Sequence, residues 1–325
     1  MTASKPILLI VSSADDVHAL SVAASAVDIG LRPFIFDTSR YPNAWSISTR
    51  YGDEVTASVR PLDQSPEAAE VELPWPDVRG IWYRRFQPFG IPDAVRDPEV
   101  RNFCISECRE VFFSLLESHS NIINKPGDDI VGGRKPYQLG RAAAAGLHVP
   151  ETLITNDPAE AREFWERLNG QVVFKILSNT RTQFTQTRVM AEPDLDQIEA
   201  VRFAPTIFQR RLEPAHHLRI TVVDEQIFGA RLTATREEAR YDWRLDRDVG
   251  IEAIELEPEF SRSILALMRD LNLRYGALDF IVTEDGQPWF LEVNTSGQFL
   301  FVEIETKQPI SRAIAAAILA GPDQR

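Results

Sequence analysis

The first third of the chain alternates short apolar runs with amphipathic segments, which is the pattern of a βα domain. Ile7–Val11 is a continuous apolar run and predicts a buried strand, and Pro33–Asp37 and Val78–Arg85 predict two more. Apolar positions recur at helical spacing across Glu99–Glu117 and predict a long helix. The pattern therefore predicts an α/β unit over residues 1–124.

Two units of mixed strands and helices follow. The pattern over 125–205 predicts strands at Thr152–Thr155 and Val172–Leu177 and a helix at Arg134–Ala145. Asp157-Pro158, in N-cap and N1 order, predicts the start of a second helix that runs to Leu168. The unit over 206–325 contains three predicted strands and two predicted helices, at Thr206–Gln209, Leu218–Val223, Gln226–Leu232, Glu259–Asn272 and Ile310–Leu319. The predicted fold class is accordingly α/β and α+β.

A predicted hairpin near the C-terminus carries the sharpest chemical signal. Asp285-Gly286 between two alternating runs predicts a two-residue turn, which places Asp279 opposite Glu292, with Asn294 on the same side. Because opposed like charges destabilise a strand pair, a positive group is expected between them, and a divalent metal with oxygen ligands is the best candidate. A longer turn would instead slip the pairing and separate the two carboxylates. The opposite face is the predicted core face and carries Leu278, Phe280, Val282, Trp289, Leu291 and Val293.

Four cationic residues are candidates for binding phosphate. Lys175 lies in an otherwise apolar predicted strand, where a buried ammonium is costly unless it reaches an anion; the alternative is an edge strand with the lysine in solvent. Lys135 lies near the start of the preceding helix, and two lysines aimed at the phosphates of a nucleotide form a coherent site. Arg219 and Arg244 could each hold a phosphoryl group through two hydrogen bonds, or form surface ion pairs.

Composition and charge exclude several classes of protein. The net charge of −13 argues against a nucleic-acid-binding protein that works through a global basic field. Two cysteines exclude a disulfide framework and favour a reducing, cytoplasmic location. No signal peptide is recognised, and no apolar stretch reaches the roughly 20 residues of a membrane span.

The order of these features resembles the ATP-grasp carboxylate–amine ligases over essentially the full chain. That family has a βα domain, a helix lysine, a strand lysine, an adenine hinge, an arginine-led strand and a final Asp…Glu-x-Asn metal set. By residue type alone, the hinge segment Phe208–Pro214 is an ordinary connection. The resemblance implies an ATP-grasp fold with an N-terminal pre-ATP-grasp domain over 1–124, a central subdomain over 125–205 and a C-terminal subdomain with the metal site over 206–325.

Short motifs are similar to one branch of that superfamily, the graspetide (omega-ester peptide) synthetases, which include the microviridin ligases. These motifs lie at Ile81–Arg85, Gly146–Pro158, Tyr241–Arg244 and Asn294–Glu303. The chain departs from the branch at Thr295-Ser296, where Pro-Asn is more common. It departs again at Arg210, which replaces a glutamate of many relatives and leaves backbone groups to contact adenine.

The resemblance implies site residues and cofactors, namely ATP and Mg²⁺. Nucleotide binding is expected at Lys135, Lys175, Gln209, Arg211, Leu212 and Glu213. Metal binding is expected at Asp279, Glu292 and Asn294. Catalysis at the γ-phosphate and the acyl phosphate is expected of Arg219 and Arg244.

The implied activity is ATP-dependent macrocyclisation. A side-chain carboxylate of a ribosomal precursor peptide, with leader and core, is phosphorylated; a hydroxyl or amine of the same peptide then forms an ester or amide. The runner-up is a RimK-like ATP-grasp ligase that adds an amino acid to a protein tail or small acid. A third hypothesis, a non-catalytic peptide-binding protein, is disfavoured by the complete set of site residues. Leader docking is expected at Gln183–Gln197, with no nucleic-acid or membrane partner, and homodimers are common among relatives.

Overall fold

A computed structural model describes residues 5–52, 56–62, 73–177, 187–236, 240–241, 243–246 and 248–322. The chain forms two compact units. The first unit consists of Met1–Asp129, Leu273–Tyr275 and Gln298–Arg325, and the second unit of Ile130–Asn272 and Gly276–Gly297. The residues of the candidate site lie in the second unit.

The first unit contains a parallel four-stranded sheet. The spatial order of its strands is Arg32–Phe36, Ile7–Val11, Val78–Tyr83 and Ile122–Ile123. Helices of this unit include Val17–Asp28, Pro98–Glu117, Leu300–Thr306 and Ile310–Ala320. A small antiparallel sheet adds Trp45–Arg50, Thr56–Pro61 and Leu73–Pro74. The three predicted strands are confirmed, with ends that differ by one or two residues, and they run parallel. All five residues of Ile7–Val11 are buried, as expected of a strand covered on both faces.

The second unit contains a four-stranded antiparallel sheet, called here the central sheet. Its strands lie in the order Arg188–Val189, Val172–Lys175, Thr206–Arg210 and Thr152–Thr155. The short helix Pro126–Gly132 leads into this unit, followed by the helices Lys135–Ala144 and Pro158–Arg167. Asp157 begins the last of these as predicted, because its carboxylate accepts a hydrogen bond from the Ala159 N–H at 2.8 Å.

The predicted leader-docking segment is described only in part. Residues 183–186 lie outside the described residues. Beyond them, Arg188–Val189 forms an edge strand of the central sheet and Glu192–Phe203 forms a 3₁₀ helix. Leader docking on this segment stays a prediction.

A second sheet, called here the C-terminal sheet, has five strands. Their order is Gly250–Ile254, Gln226–Thr233, Pro214–Val223, Tyr275–Thr283 and Pro288–Asn294. The helix Pro258–Asp270 precedes the last two strands in sequence, as predicted. The strand Gly250–Ile254 was not predicted; it lies at the sheet edge and has no buried residue, so its apolar signal is weak.

The prediction of a two-residue turn in the last hairpin is wrong. Thr283 N–H donates to the Gln287 carbonyl at 3.1 Å, so three residues form the loop, and Gly286 takes a φ of +83°. This loop shifts the pairing by one residue near the turn, where Phe280 faces Phe290. A β-bulge after Asp279 then shifts it back, and Asp279 faces Glu292. The two offsets cancel, and the predicted pairing of the carboxylates is confirmed.

The bulge also corrects the predicted core face. Phe290 is fully buried and packs edge-on against Phe280, with ring centroids 5.6 Å apart. Leu291, predicted in the core, instead lines the candidate site beside Glu292. A bulge places two consecutive residues opposite one partner, so strict alternation of faces fails there.

Candidate active site

One pocket of the second unit brings together residues from both of its sheets. Of the residues predicted from sequence, it is lined by Lys135, Lys175, Gln209, Arg211, Leu212, Arg244, Asp279 and Glu292. The other three predicted residues do not line it. Arg219 lies behind Asp279, Glu213 contacts the lining residues Arg211 and Tyr241, and Asn294 is exposed two residues beyond Glu292.

Lys175 lies in an interior strand of the central sheet, so the edge-strand alternative is wrong. Val172–Lys175 has Arg188–Val189 on one side and Thr206–Arg210 on the other. The Nζ atom of Lys175 donates to Oε1 of Gln209 at 2.9 Å. Because Gln209 is buried, its hydrogen bond fixes the ammonium group of Lys175 at the pocket wall.

Each hairpin carboxylate has its own cation. Nη1 of Arg219 donates to both carboxylate oxygens of Asp279, at 2.9 and 2.8 Å. Nζ of Lys135 lies 3.2 Å from Oε2 of Glu292. The expected positive charge between the opposed carboxylates is therefore supplied in part by the protein itself.

The two carboxylates differ in proton affinity. Burial raises the pKa of Asp279, and Arg219 offsets only part of that effect. Burial also acts to raise the pKa of Glu292, but Lys135 and Lys175 outweigh it, so the pKa is lowered. Glu292 is therefore the more persistent anion of the pair.

The donor set fits Mg²⁺ bound together with phosphate. Asp279, Glu292 and Asn294 offer two carboxylates and one amide, which are hard oxygen ligands. In the described part of the chain, no group of three or more His, Cys, Asp or Glu side chains is placed to hold a metal. Mg²⁺ commonly binds through one or two carboxylates and completes its shell with water and substrate phosphates, so a larger acidic cluster is not required.

The predicted hinge forms a side-chain cluster at the pocket rim. Nη2 of Arg211 lies 3.0 Å from Oε1 of Glu213, and the hydroxyl of Tyr241 donates to its Oε2 at 2.7 Å. Arg210 is exposed at the end of the strand Thr206–Arg210, and its Nη2 donates to Oε2 of Glu151 at 2.8 Å. Arg244 follows Trp243 in a short 3₁₀ turn, and both residues line the pocket.

Sequence reasoning missed several residues of the site. Gln138 is 1% exposed and hydrogen-bonds the strand that carries Glu292. Its spacing of three from Lys135, on one helix face, was the available signal. Gly297 lies against Arg219, because a methyl group added there would lie 2.9 Å from Nη2 of that arginine.

The chain matches two family models in sequence. Residues 6–128 match the MvdD pre-ATP-grasp domain, and residues 137–318 match the RimK-like ATP-grasp domain. The chain belongs to the ATP-grasp ligases. The predicted fold, an ATP-grasp fold with an N-terminal pre-ATP-grasp domain, is confirmed.

Solved structures similar to this ATP-grasp ligase include peptide macrocyclases. The macrocyclase MdnC of Microcystis aeruginosa MRC, bound with precursor peptide MdnA, is 31% identical over 96% of this chain and 99% of that chain, with a TM-score of 0.84. A RiPP-associated ATP-grasp ligase of Chryseobacterium gregarium, in complex with ADP and a leader and core peptide, is 26% identical over 97% of each chain, with a TM-score of 0.86. The ATP-grasp ligase PsnB, complexed with minimal precursor, Mg and ADP, is 25% identical over 97% of this chain and 96% of that chain, with a TM-score of 0.75.

No curated protein matches the chain. None of the helices in the described ranges of this ATP-grasp ligase combines the length and apolar character needed to cross a membrane.

Proposed function

We propose that this ATP-grasp ligase uses ATP and Mg²⁺ to activate side-chain carboxylates of a ribosomal precursor peptide and closes ester or amide crosslinks within that peptide. The observation that carries the proposal is the likeness to a macrocyclase bound with its precursor peptide, 31% identical over 99% of that chain. The pocket adds support, since it combines two lysines and three arginines with the opposed carboxylates. Cationic groups and hard oxygen ligands are what a Mg²⁺-nucleotide requires.

The proposed reaction has two steps. A carboxylate oxygen of the peptide attacks the γ-phosphorus of ATP, the bond to the β-phosphate oxygen breaks, and ADP leaves. A hydroxyl or amine of the same peptide then attacks the acyl carbon and loses its proton, and phosphate leaves. Phosphorylation is needed because a carboxylate by itself is a poor electrophile.

We assign the phosphates to the cationic side of the pocket. Lys135 and Lys175 contact the α- and β-phosphates, and Arg244 stabilises charge on the transferred phosphoryl group. Arg219 assists from behind Asp279 as a positioning residue, because its guanidinium holds the carboxylate of that proposed metal ligand. Asp279, Glu292 and Asn294 hold Mg²⁺, which neutralises charge on the phosphate oxygens when bound.

We assign the nucleoside to the hinge. Backbone groups of Gln209–Leu212 contact adenine, and Glu213 contacts the ribose. In this assignment the segments 1–124, 125–205 and 206–325 act as the pre-ATP-grasp domain, central subdomain and C-terminal subdomain. The precursor leader docks on the predicted segment Gln183–Gln197 of the central subdomain, of which residues 187–197 are described, and the enzyme works in the cytoplasm.

Co-expression with a candidate precursor peptide tests the proposal. Each crosslink removes one water, so mass spectrometry counts the rings. Glu292→Gln should lower crosslinking by at least about 100-fold while the protein stays folded, since even ligand-orienting residues typically contribute 10- to 100-fold. Glu284→Gln, the same change at the exposed hairpin tip, is the matched control and should keep full activity.

The same experiment separates the alternatives. The RimK-like activity, supported by the family model over residues 137–318, would add the mass of an amino acid residue instead of removing water. A non-catalytic binder would retain the peptide and change no mass. Full crosslinking by Glu292→Gln would refute the metal assignment.

A further inference from the structure

The strand that carries Glu292 lies at the edge of the C-terminal sheet. Pro288–Asn294 has Tyr275–Thr283 on one side only, so its outward backbone groups need other partners. The Phe290 N–H donates to the His148 carbonyl at 2.8 Å. The second outward bonding position is Val293, which lies between the proposed metal ligands Glu292 and Asn294.

Val293 is held by the side chain of Gln138. Nε2 of Gln138 donates to the Val293 carbonyl at 2.8 Å, and Oε1 accepts from the Val293 N–H at 3.0 Å. A carboxamide can form this two-bond pairing because it carries a donor and an acceptor at one end, as a peptide group of a neighbouring strand does. Nε2 also donates to the Gly132 carbonyl at 2.7 Å, and the side chain is fully enclosed.

Gln138 links this backbone to the helix that carries Lys135. The two residues are three positions apart in Lys135–Ala144 and share one face of the helix. Lys135 itself contacts Glu292 at 3.2 Å, so its ammonium and a bound metal share the same carboxylate. The hydrogen bonds of Gln138 go to backbone groups, so they do not compete with a metal for the carboxylate.

We infer that Gln138 is a positioning residue of the Mg²⁺-nucleotide site, which fixes the backbone at Val293 and thereby aims Glu292 and Asn294. The inference rests on the proposed function. Residues that orient metal ligands typically contribute 10- to 100-fold to metal affinity or activity. A role limited to stability would leave the metal affinity of the folded protein unchanged.

Manganese binding in the presence of ADP tests the inference without a peptide. The electron paramagnetic resonance signal of free Mn²⁺ reports its dissociation constant. Gln138→Met keeps the volume and removes all three hydrogen bonds, so Mn²⁺ affinity should fall about 10- to 100-fold. Gln138→Glu keeps the acceptor but sets a carboxylate oxygen against the carbonyls of Val293 and Gly132, so Mn²⁺ affinity should fall at least as far.

The matched control is a buried amide of the first unit. Nδ2 of Asn121 donates to the carbonyls of Arg79 and Ile318 at 2.9 and 2.8 Å. Asn121→Ala should lower Tm and leave Mn²⁺ affinity unchanged. Wild-type Mn²⁺ affinity in both Gln138 variants would overturn the inference, as would an equal loss in Asn121→Ala.

Failure of the proposed function and failure of the role of Gln138 give different results. If the wild-type protein with ADP binds no Mn²⁺, the proposed function fails. If the wild type binds Mn²⁺ and the Gln138 variants bind it equally well, only the role of Gln138 fails. Should Gln138→Met not fold, Gln138→Glu alone decides the question.

Discussion

Lys175 and Gln209 are bonded across two neighbouring strands of the central sheet, with Nζ 2.9 Å from Oε1. The amide of Gln209 also donates from Nε2 to Oγ1 of Thr152 at 2.9 Å, and only 3% of the residue is exposed. The proposed phosphate-binding Lys175 is thus held by the buried side chain of Gln209, whose Oε1 and Nε2 atoms are both hydrogen-bonded.

Gln209→Met should weaken both stability and nucleotide binding. The methionine keeps the volume but removes a buried partner of Lys175 and of Thr152, which is expected to cost about 1–3 kcal/mol in the free energy of unfolding. Urea unfolding and ADP titration measure the two effects. Gln171→Met, at an exposed glutamine directly before the strand that carries Lys175, should change the free energy of unfolding by less than about 0.5 kcal/mol. Equal stability of the two variants would contradict this account of Gln209.

Gly297→Ala should disturb the pair formed by Arg219 and Asp279. The added methyl would overlap Cβ of Ala277 and lie 2.9 Å from Nη2 of Arg219, so one neighbour must move. Overpacking of this kind costs about 1–3 kcal/mol, and crosslinking should fall with it. Thermal unfolding and mass spectrometry of the peptide product measure both.

Gly140→Ala is the control for that change. The residue lies inside the helix Lys135–Ala144, and an added methyl meets no atom within 4 Å. Alanine in a helix interior is favoured over glycine by about 0.5–1 kcal/mol, so this variant should be slightly stabilised and fully active. A stable, active Gly297→Ala would refute the proposed crowding.

Asp16→Asn should reveal a pH-dependent ion pair in the first unit. Oδ2 of Asp16 lies 3.5 Å from Nε of Arg84 and accepts from the Ser12 hydroxyl at 2.7 Å. Burial acts to raise the pKa of Asp16, but Ser12 and Arg84 outweigh it, so the pKa lies below its usual 3.8. Asparagine still caps the helix, so the change removes mainly the negative charge that faces the buried Arg84. The free energy of unfolding at neutral pH should fall by about 3–5 kcal/mol.

The pH dependence of that difference follows from the lowered pKa. The unfolded carboxyl takes up its proton at higher pH than the folded one, so this contribution to stability is present above the usual value and is lost as pH falls through the folded pKa. The difference in the free energy of unfolding between wild type and Asp16→Asn should therefore become smaller only at acidic pH. Unfolding by urea across that range tests this expectation. Asp15→Asn, at the exposed neighbour, is the matched control and should change the free energy of unfolding by less than about 0.5 kcal/mol.

The hydrophobic pattern by itself determined most of the helices and strands. Ile7–Val11, Thr152–Thr155 and the helix that begins after Asp157 lie where the apolar periodicity and the capping residue put them. These signals are local, because the period of apolar positions and the preference for a cap depend only on neighbours in the chain. The order of motifs also determined the family.

Only the tertiary structure decided how the site is assembled. The facing of Asp279 and Glu292 was predicted from a turn that is one residue too short, and a bulge compensates for the difference. The role of Gln138 depends on where its helix packs against an edge strand 155 positions away in sequence. Register, bulges and the partners of buried polar groups are set by long-range packing, which no local pattern of polar and apolar residues encodes.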